Sequence, residues 1–410
     1  MSMMLRRGLM IPKAESGLPA EYLAVQYLES TGTQCIDTGI IPGAGTSVLI
    51  RKGQSGGSYL NTIFGCGSSR DQFTISGLYI NYLSSVNQTV TGNPQTASCT
   101  LEMSSGVVYV DGTQVLDLSS STGECSQTLG IFAKKLNNGT FERFDSMKVY
   151  AFKMWQNSVL IRDMIPCIRI SDSKPGMYDL VGRQFYVNQG TGEFLTGYIS
   201  DGLVMQLDGI DRGGVSGQWK DLVGGKIVTL SGDYSEQTNY VEFPASTTPY
   251  GLGTFDSNTN IKIEKSLGTI ETACELTVAE SVGRPVYSAG NGYIGCSLAS
   301  MYSDVQRPVM RYYCASATMQ LWVFPNTITG LKYTASANKD IAYCNGEAGS
   351  LGSVSSWSST PTPSIATRGS GNPFKGKMYA VRLYNRLLTQ AEMLHNQRVD
   401  NTRFNLGLTI

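Results

Sequence analysis

Val110-Asp111-Gly112-Thr113-Gln114-Val115 decides the fold class. An Asp-Gly pair between strand formers fits a two-residue hairpin loop, because a type I′ turn needs positive φ at both central residues. The same device returns in Tyr343-Cys344-Asn345-Gly346-Glu347. Around these hairpins, short apolar, aromatic and β-branched runs recur between clusters of Gly, Ser, Asn and Asp, the pattern of antiparallel sheets. Each hairpin is followed by a strand of one grammar, first Lys148-Val149-Tyr150-Ala151-Phe152-Lys153 and then Lys377-Met378-Tyr379-Ala380-Val381-Arg382. We read this as a degenerate internal duplication: two tandem β domains over residues 19–198 and 201–410, preceded by an N-terminal arm over residues 1–18.

Strict alternation in the first of these strands places Val149, Ala151 and Lys153 on one face and Tyr150 and Phe152 on the other. Both faces then carry bulk, which suits a two-sheet sandwich. One helix is expected, in Leu388 to Gln397. Thr389 with Glu392 forms a capping box, and Leu388, Ala391 and Leu394 make its apolar stripe.

Composition narrows the function by exclusion. The chain has 410 residues, with 32 Lys plus Arg against 32 Asp plus Glu, so it lacks the basic surplus that phosphate neutralisation requires. A single His, at position 395 in the expected helix, leaves little room for His-ligated zinc or repeated His-based proton relays. The nine Cys include no Cys-x-x-Cys pair, and most stand in apolar strand-like runs where a thiol behaves as a small hydrophobe. Such thiols point to folding in a reducing cytosol. The apolar run after Arg6-Arg7 ends at Pro12, too short for a signal peptide.

The candidate chemistry is that of contact. Sugar binding on a β-sandwich uses aromatic faces with polar neighbours. Trp357, in Ser355 to Ser359, and Tyr302, in Ser300 to Asp304, are the candidate ligand-binding residues, whereas Trp219 and Trp322 read as core. Asp208, Asp211 and Asp256 stand in loop-like contexts but form no Asp-x-Asp-x-Asp array, so no metal site or other cofactor is expected. A glycoside hydrolase needs two carboxylates about 5–9.5 Å apart across one groove. Glu271 and Glu275, the nearest such spacing, are expected on a solvated face, and no catalytic residue is assigned.

Tyr27-Leu28-Glu29-Ser30-Thr31-Gly32-Thr33-Gln34-Cys35-Ile36-Asp37-Thr38-Gly39 resembles the opening of laminin-G-like, concanavalin A-like jelly-roll proteins of gut bacteriophages. Further likeness follows in Phe144 to Phe152, Leu160 to Cys167, Gly176 to Val181 and Asn188 to Phe194. The second half is similar to a more general laminin-G-like domain through Gln218-Trp219-Lys220-Asp221-Leu222-Val223-Gly224-Gly225 and through Gly376 to Arg386. Cys35 stands where the family often has Tyr.

The resemblance implies an all-β protein of two tandem antiparallel β-sandwich jelly rolls with one short C-terminal helix. It implies a non-enzymatic structural and adhesive virion protein, assembled in the host cytoplasm and displayed on the tail or capsid surface as a fibre or decoration. Its expected partners are other virion proteins through the N-terminal arm, a host surface glycan, and further copies of itself. A bacterial cell-surface glycan-binding module is the alternative, and a glycoside hydrolase the third reading.

Overall fold

A computed structural model describes residues 17–56, 58, 60–67, 71–77, 79–84, 97–244, 251–255, 263–264, 267–288, 295–302, 305–313, 320–352, 364–366 and 373–410. The expected arm, apart from Gly17 and Leu18, lies outside them. The architecture is all-β with one C-terminal helix, and contacts divide the chain into two compact units after Ser200.

The first unit stacks an 11-stranded sheet on a 7-stranded one. The larger sheet runs Thr113–Asp117, Val107–Val110, Cys99–Ser104, Thr46–Lys52, Lys148–Gln156, Val159–Arg169, Lys174–Asp179 and Gln184–Val187 in spatial order. Its inward residues Val48, Ile50, Leu101 and Phe152 share one core with Phe64, Phe73 and Ile131 of the facing sheet. In the second unit an 8-stranded sheet runs Ser235–Glu236, Val241–Phe243, Gly376–Tyr384, Thr269–Leu276, Lys332–Ala337, Ala342–Cys344 and Glu347–Ala348, with Leu203–Asp208 also paired to Gly376–Tyr384. It packs Met205, Ile270 and Val381 against Val228, Cys296 and Met310 of a 9-stranded sheet.

The 11-stranded and the 8-stranded sheets match in register. Asp111, at φ 48°, donates its N–H to the Thr100 carbonyl at 2.9 Å and accepts the Thr100 N–H on Oδ1 at 2.8 Å. Asn345, at φ 47°, repeats both bonds with Thr334, each at 2.9 Å. Asp and Asn tolerate this left-handed backbone because their short polar side chains bond locally. The turn therefore aligns Thr100 with Thr334, and pairing carries the alignment across the sheet. Arg51 faces Thr100 as Ala273 faces Thr334, and Leu49 and Glu271 fall at one position.

A shared bulge extends the match. Val149 pairs Lys52 and Ala151 pairs Arg51, so Tyr150 is an extra residue, as Tyr379 is between Met378 and Ala380. The bulge overturns the strict alternation expected for this strand: Val149, Phe152 and Met154 all enter the core, while Tyr150, Ala151 and Lys153 do not. Each bulged Tyr packs edge-on against a second Tyr, Tyr27 at 5.8 Å and Tyr240 at 5.4 Å. Lys148 and Lys377 sit over those second rings at 4.3 and 5.3 Å. Tyr240-Val241-Glu242 thus repeats Tyr27-Leu28-Glu29, with Val241 and Leu28 paired to matched residues of the bulged strands. The opening segment is thus repeated in the second unit.

The helix runs Gln390–Arg403, longer than expected, and its capping box is formed: Thr389 N–H donates to Glu392 Oε2 at 2.8 Å, and Glu392 N–H to Thr389 Oγ1 at 3.4 Å. Of the expected apolar stripe only Leu388, just before the helix, is buried. Ala391 is exposed and Leu394 half-buried, while Glu392, Met393, Asn396, Gln397, Val399 and Asp400 are buried. Partners on the sheet explain this reversal.

Candidate functional site

Across the sheet from Tyr343 to Gln206, one rung reads Tyr343, Ser336, Glu271, Arg382, Gln206. The Arg382 guanidinium donates through Nε to Glu271 Oε2 at 3.0 Å and through Nη1 and Nη2 to the two oxygens of helix residue Asp400 at 2.8 and 2.6 Å. Ser336 Oγ and Asn396 Nδ2 also donate to Glu271, and Thr334 Oγ1 donates to Asp400. All three charged side chains are at most 1% exposed. The expectation that Glu271 lies on a solvated face is wrong, because the helix buries it beside an arginine. Glu275 does stay half-buried, with the Tyr379 hydroxyl and Lys377 donating to it.

Two carboxylates on one arginine carry a net negative charge. Burial, opposed by Arg382 and reinforced by Asp400, pushes the Glu271 carboxyl up to about 7. A raised carboxyl pKa is the usual mark of an acid catalyst, but here the group faces a helix, with no surface left for substrate. Its chemistry is adhesion of the helix. Gln397 completes the seam by donating to the Tyr343 carbonyl at 3.0 Å and accepting the Gly346 N–H at 2.9 Å.

The matched rung of the first unit reads Tyr109, Glu102, Leu49, Lys153, Asp163. Among the described residues the only helix belongs to the second unit, and all five of these side chains remain half-buried. Leu49 replaces Glu271 and Lys153 replaces Arg382, so the arginine-centred triad has no counterpart. Lys153 Nζ instead donates to Asp163 at 2.9 Å on the same surface. On the next rung Trp155 pairs Ser47, which pairs Ser104, and the two serine hydroxyls lie 3.3 Å apart. Glu102 has no hydrogen-bond or ion-pair partner among the described residues, and burial raises its carboxyl pKa. Trp155, Tyr109, two hydroxyls and an acceptor carboxylate thus share one face. An aromatic plane against C–H groups and acceptors for hydroxyls are what a saccharide needs.

Tyr302 closes the hairpin from Gly295–Tyr302 to Val305–Tyr313 and packs half-buried against Ala299, Val309, Leu321 and Val323. Trp357 lies outside the described residues. Trp219 and Trp322 are core residues, and the Trp219 indole donates to the Asp208 carbonyl at 2.9 Å. Asp208 ends a strand rather than standing in a loop: its carboxylate caps the turn N–H groups of Ile210 and Asp211 and accepts Arg403 at 2.7 Å. Asp211 is exposed, Asp256 lies outside the described residues, and no metal-competent cluster occurs among the described ones. Trp155 escaped notice in the sequence. Its place beside Lys153, two residues on and opposite Met154, was the available signal.

No protein-family model matches the chain, and no curated protein matches its sequence. Solved structures it resembles include Trypanosoma rangeli sialidase with 2,3-difluorosialic acid, at 16% identity and a TM-score of 0.31, over 49% of this chain and 33% of that one. Another is Trypanosoma rangeli sialidase with sialic acid, at 13% identity and a TM-score of 0.34, over 62% of this chain and 48% of that one. A third is NanB with optactamide, at 12% identity and a TM-score of 0.23, over 84% and 76%. The chain thus spans about half or less of the first two proteins' length. The likeness is distant and confined to β-rich architecture.

Proposed function

We propose that this chain is a non-enzymatic structural and adhesive protein of a bacteriophage virion, displayed on the tail or capsid surface and binding a host surface glycan. The observation that supports this reading is the pair of matched sheet faces. One is closed by a helix over a buried ion triad, and the other presents Trp155, Tyr109, Ser47, Ser104 and Glu102 with no helix above them among the described residues. Glu271, the carboxyl that burial raises to about 7, is committed to holding that helix, which favours contact over reaction. Tyr302 and Trp357, each taken singly, are further candidate contacts. Mass spectrometry of purified particles from cells carrying the encoding phage is expected to find the chain at fixed stoichiometry. Its absence from particles, or release of sugar from bacterial polysaccharide by the purified chain, would overturn the proposal.

A further inference from the structure

The chain holds three Asn-Gly steps, beginning at Asn138, Asn291 and Asn345. Asn291 lies outside the described residues. Glycine carries no side chain to shield its amide nitrogen, so in this dipeptide that nitrogen can attack the preceding carboxamide. The two described steps share a backbone feature, with Gly139 at φ 85° and Gly346 at φ 82°. They differ in what holds the asparagine.

At Asn345 the reacting groups are held apart. Its Oδ1 accepts the Thr334 N–H at 2.9 Å and its Nδ2 donates to the Lys332 carbonyl at 3.1 Å, so the carboxamide is aimed at the neighbouring strand. The Gly346 N–H donates to Gln397 on the helix at 2.9 Å. Asn138 instead stands exposed at the tip of the hairpin that joins Lys134–Lys135 to Phe141–Glu142. Its Oδ1 accepts the Thr140 N–H at 3.0 Å and the Thr140 hydroxyl at 2.7 Å. The first of these bonds closes a ring of atoms that contains the Gly139 nitrogen, and so folds Cγ toward it. Together they set two donors on the oxygen where negative charge develops when Cγ is attacked. Asn138 Nδ2, the leaving group, has no hydrogen-bond partner among the described residues. The Gly139 N–H donates to the Leu136 carbonyl at 2.8 Å, a bond that local opening of an exposed tip releases.

We propose that Asn138 is a self-modification site, at which the hairpin itself promotes conversion of the carboxamide to a carboxylate. The Gly139 amide gives its proton to solvent hydroxide, and the nitrogen attacks Asn138 Cγ. The Cγ–Nδ2 bond then breaks, Nδ2 takes a proton from water and leaves as ammonia, and a succinimide remains. Water opens that ring. Attack at Cγ restores the ordinary backbone as aspartate, and attack at the main-chain carbonyl routes the chain through the side chain as isoaspartate. One water is consumed and one ammonia released, with no change of oxidation state. The formal net charge moves from zero to one negative, and isoaspartate adds a methylene inside the turn that the Leu136 N–H to Thr140 carbonyl bond closes at 2.8 Å. The site is independent of any glycan.

The test ages the full-length chain in mildly alkaline buffer, with and without urea, and follows each Asn-Gly step by peptide mapping and isoelectric focusing. Asn138 is expected to convert severalfold faster folded than in urea, and Asn345 severalfold slower. Thr140→Val, which keeps the N–H and removes the hydroxyl, should slow Asn138 severalfold without changing Asn345, and Thr140→Ser should restore the wild-type rate. The assignment is overturned by an Asn138 that converts no faster folded than in urea, by an Asn345 that keeps pace with it in the folded chain, or by a Thr140→Val variant that matches the wild type.

Discussion

The outer faces of the 11-stranded and the 8-stranded sheets share a backbone register and differ in what packs against them among the described residues. Position by position, Leu49 stands against Glu271, Lys153 against Arg382, Glu102 against Ser336 and Trp155 against Tyr384, while Tyr109 and Tyr343 agree. In the second unit, glutamate and arginine on adjacent strands make a site that only a third group can complete, and Asp400 on the helix completes it. In the first, leucine and a surface-paired lysine ask for no helix. A duplicated scaffold can therefore be closed or left open by two side chains. Such a triad confers little net stability over an apolar seam, but it specifies which element docks and in what register.

The comparison can be broken most forcefully at Arg382. Arg382→Met leaves Glu271 and Asp400 buried without their cation, at a cost of about 3–5 kcal/mol. Hydrogen exchange over Gln390–Arg403 should rise sharply while exchange in the first unit is unchanged. Next comes the aromatic pair. Tyr384→Ala empties a fully buried position whose hydroxyl accepts from Asn396, and should cost about 3 kcal/mol. Trp155→Ala at the matched open position should cost about 1 kcal/mol or less in the same thermal unfolding assay. Equal losses would mean that the first face is covered after all.

A smaller effect separates the units by pH. The carboxyl of Glu271, raised to about 7 by burial, holds its proton at higher pH in the folded state than in the unfolded one. Its contribution is therefore full below the unfolded value of about 4.5 and is lost as pH rises through about 7. The second unit should be more stable at pH 5 than at pH 8 by about 2 kcal/mol, since a tenfold change in proton affinity is worth about 1.4 kcal/mol and neighbouring charges share part of the effect. Glu271→Gln should flatten that slope, as read from urea unfolding across the range. Smallest, and the same in both units, is the hairpin effect: Asp111→Ala and Asn345→Ala each remove a local bond at a positive φ and should each cost about 1 kcal/mol. Unequal costs would weaken the register match.

Much of this was written in local patterns. Asp111-Gly112 and Asn345-Gly346 announce their hairpins because turn geometry depends on those residues alone, and the Lys148 and Lys377 strands announce the duplication. The Thr389 to Glu392 box marks the helix start for the same reason. What stayed hidden depends on partners distant in sequence. The bulge at Tyr150 shows only when Lys52 and Arg51 are counted against it, and the polar underside of the helix makes sense only beside Arg382 and Ser336. Glu271 and Leu49 read alike as strand residues. Their difference in role rests on a helix contributed more than a hundred residues later in one case and on none among the described residues in the other.

The claim that one face is open for ligand while its twin is sealed is tested most directly on an array of bacterial surface polysaccharides, comparing the wild-type chain with Trp155→Ala and Tyr302→Ala. The account predicts retention by the wild type, loss in Trp155→Ala, survival in Tyr302→Ala, and no sugar released. A wild-type chain that retains no polysaccharide, or a Trp155→Ala variant that binds as well as the wild type, would contradict it.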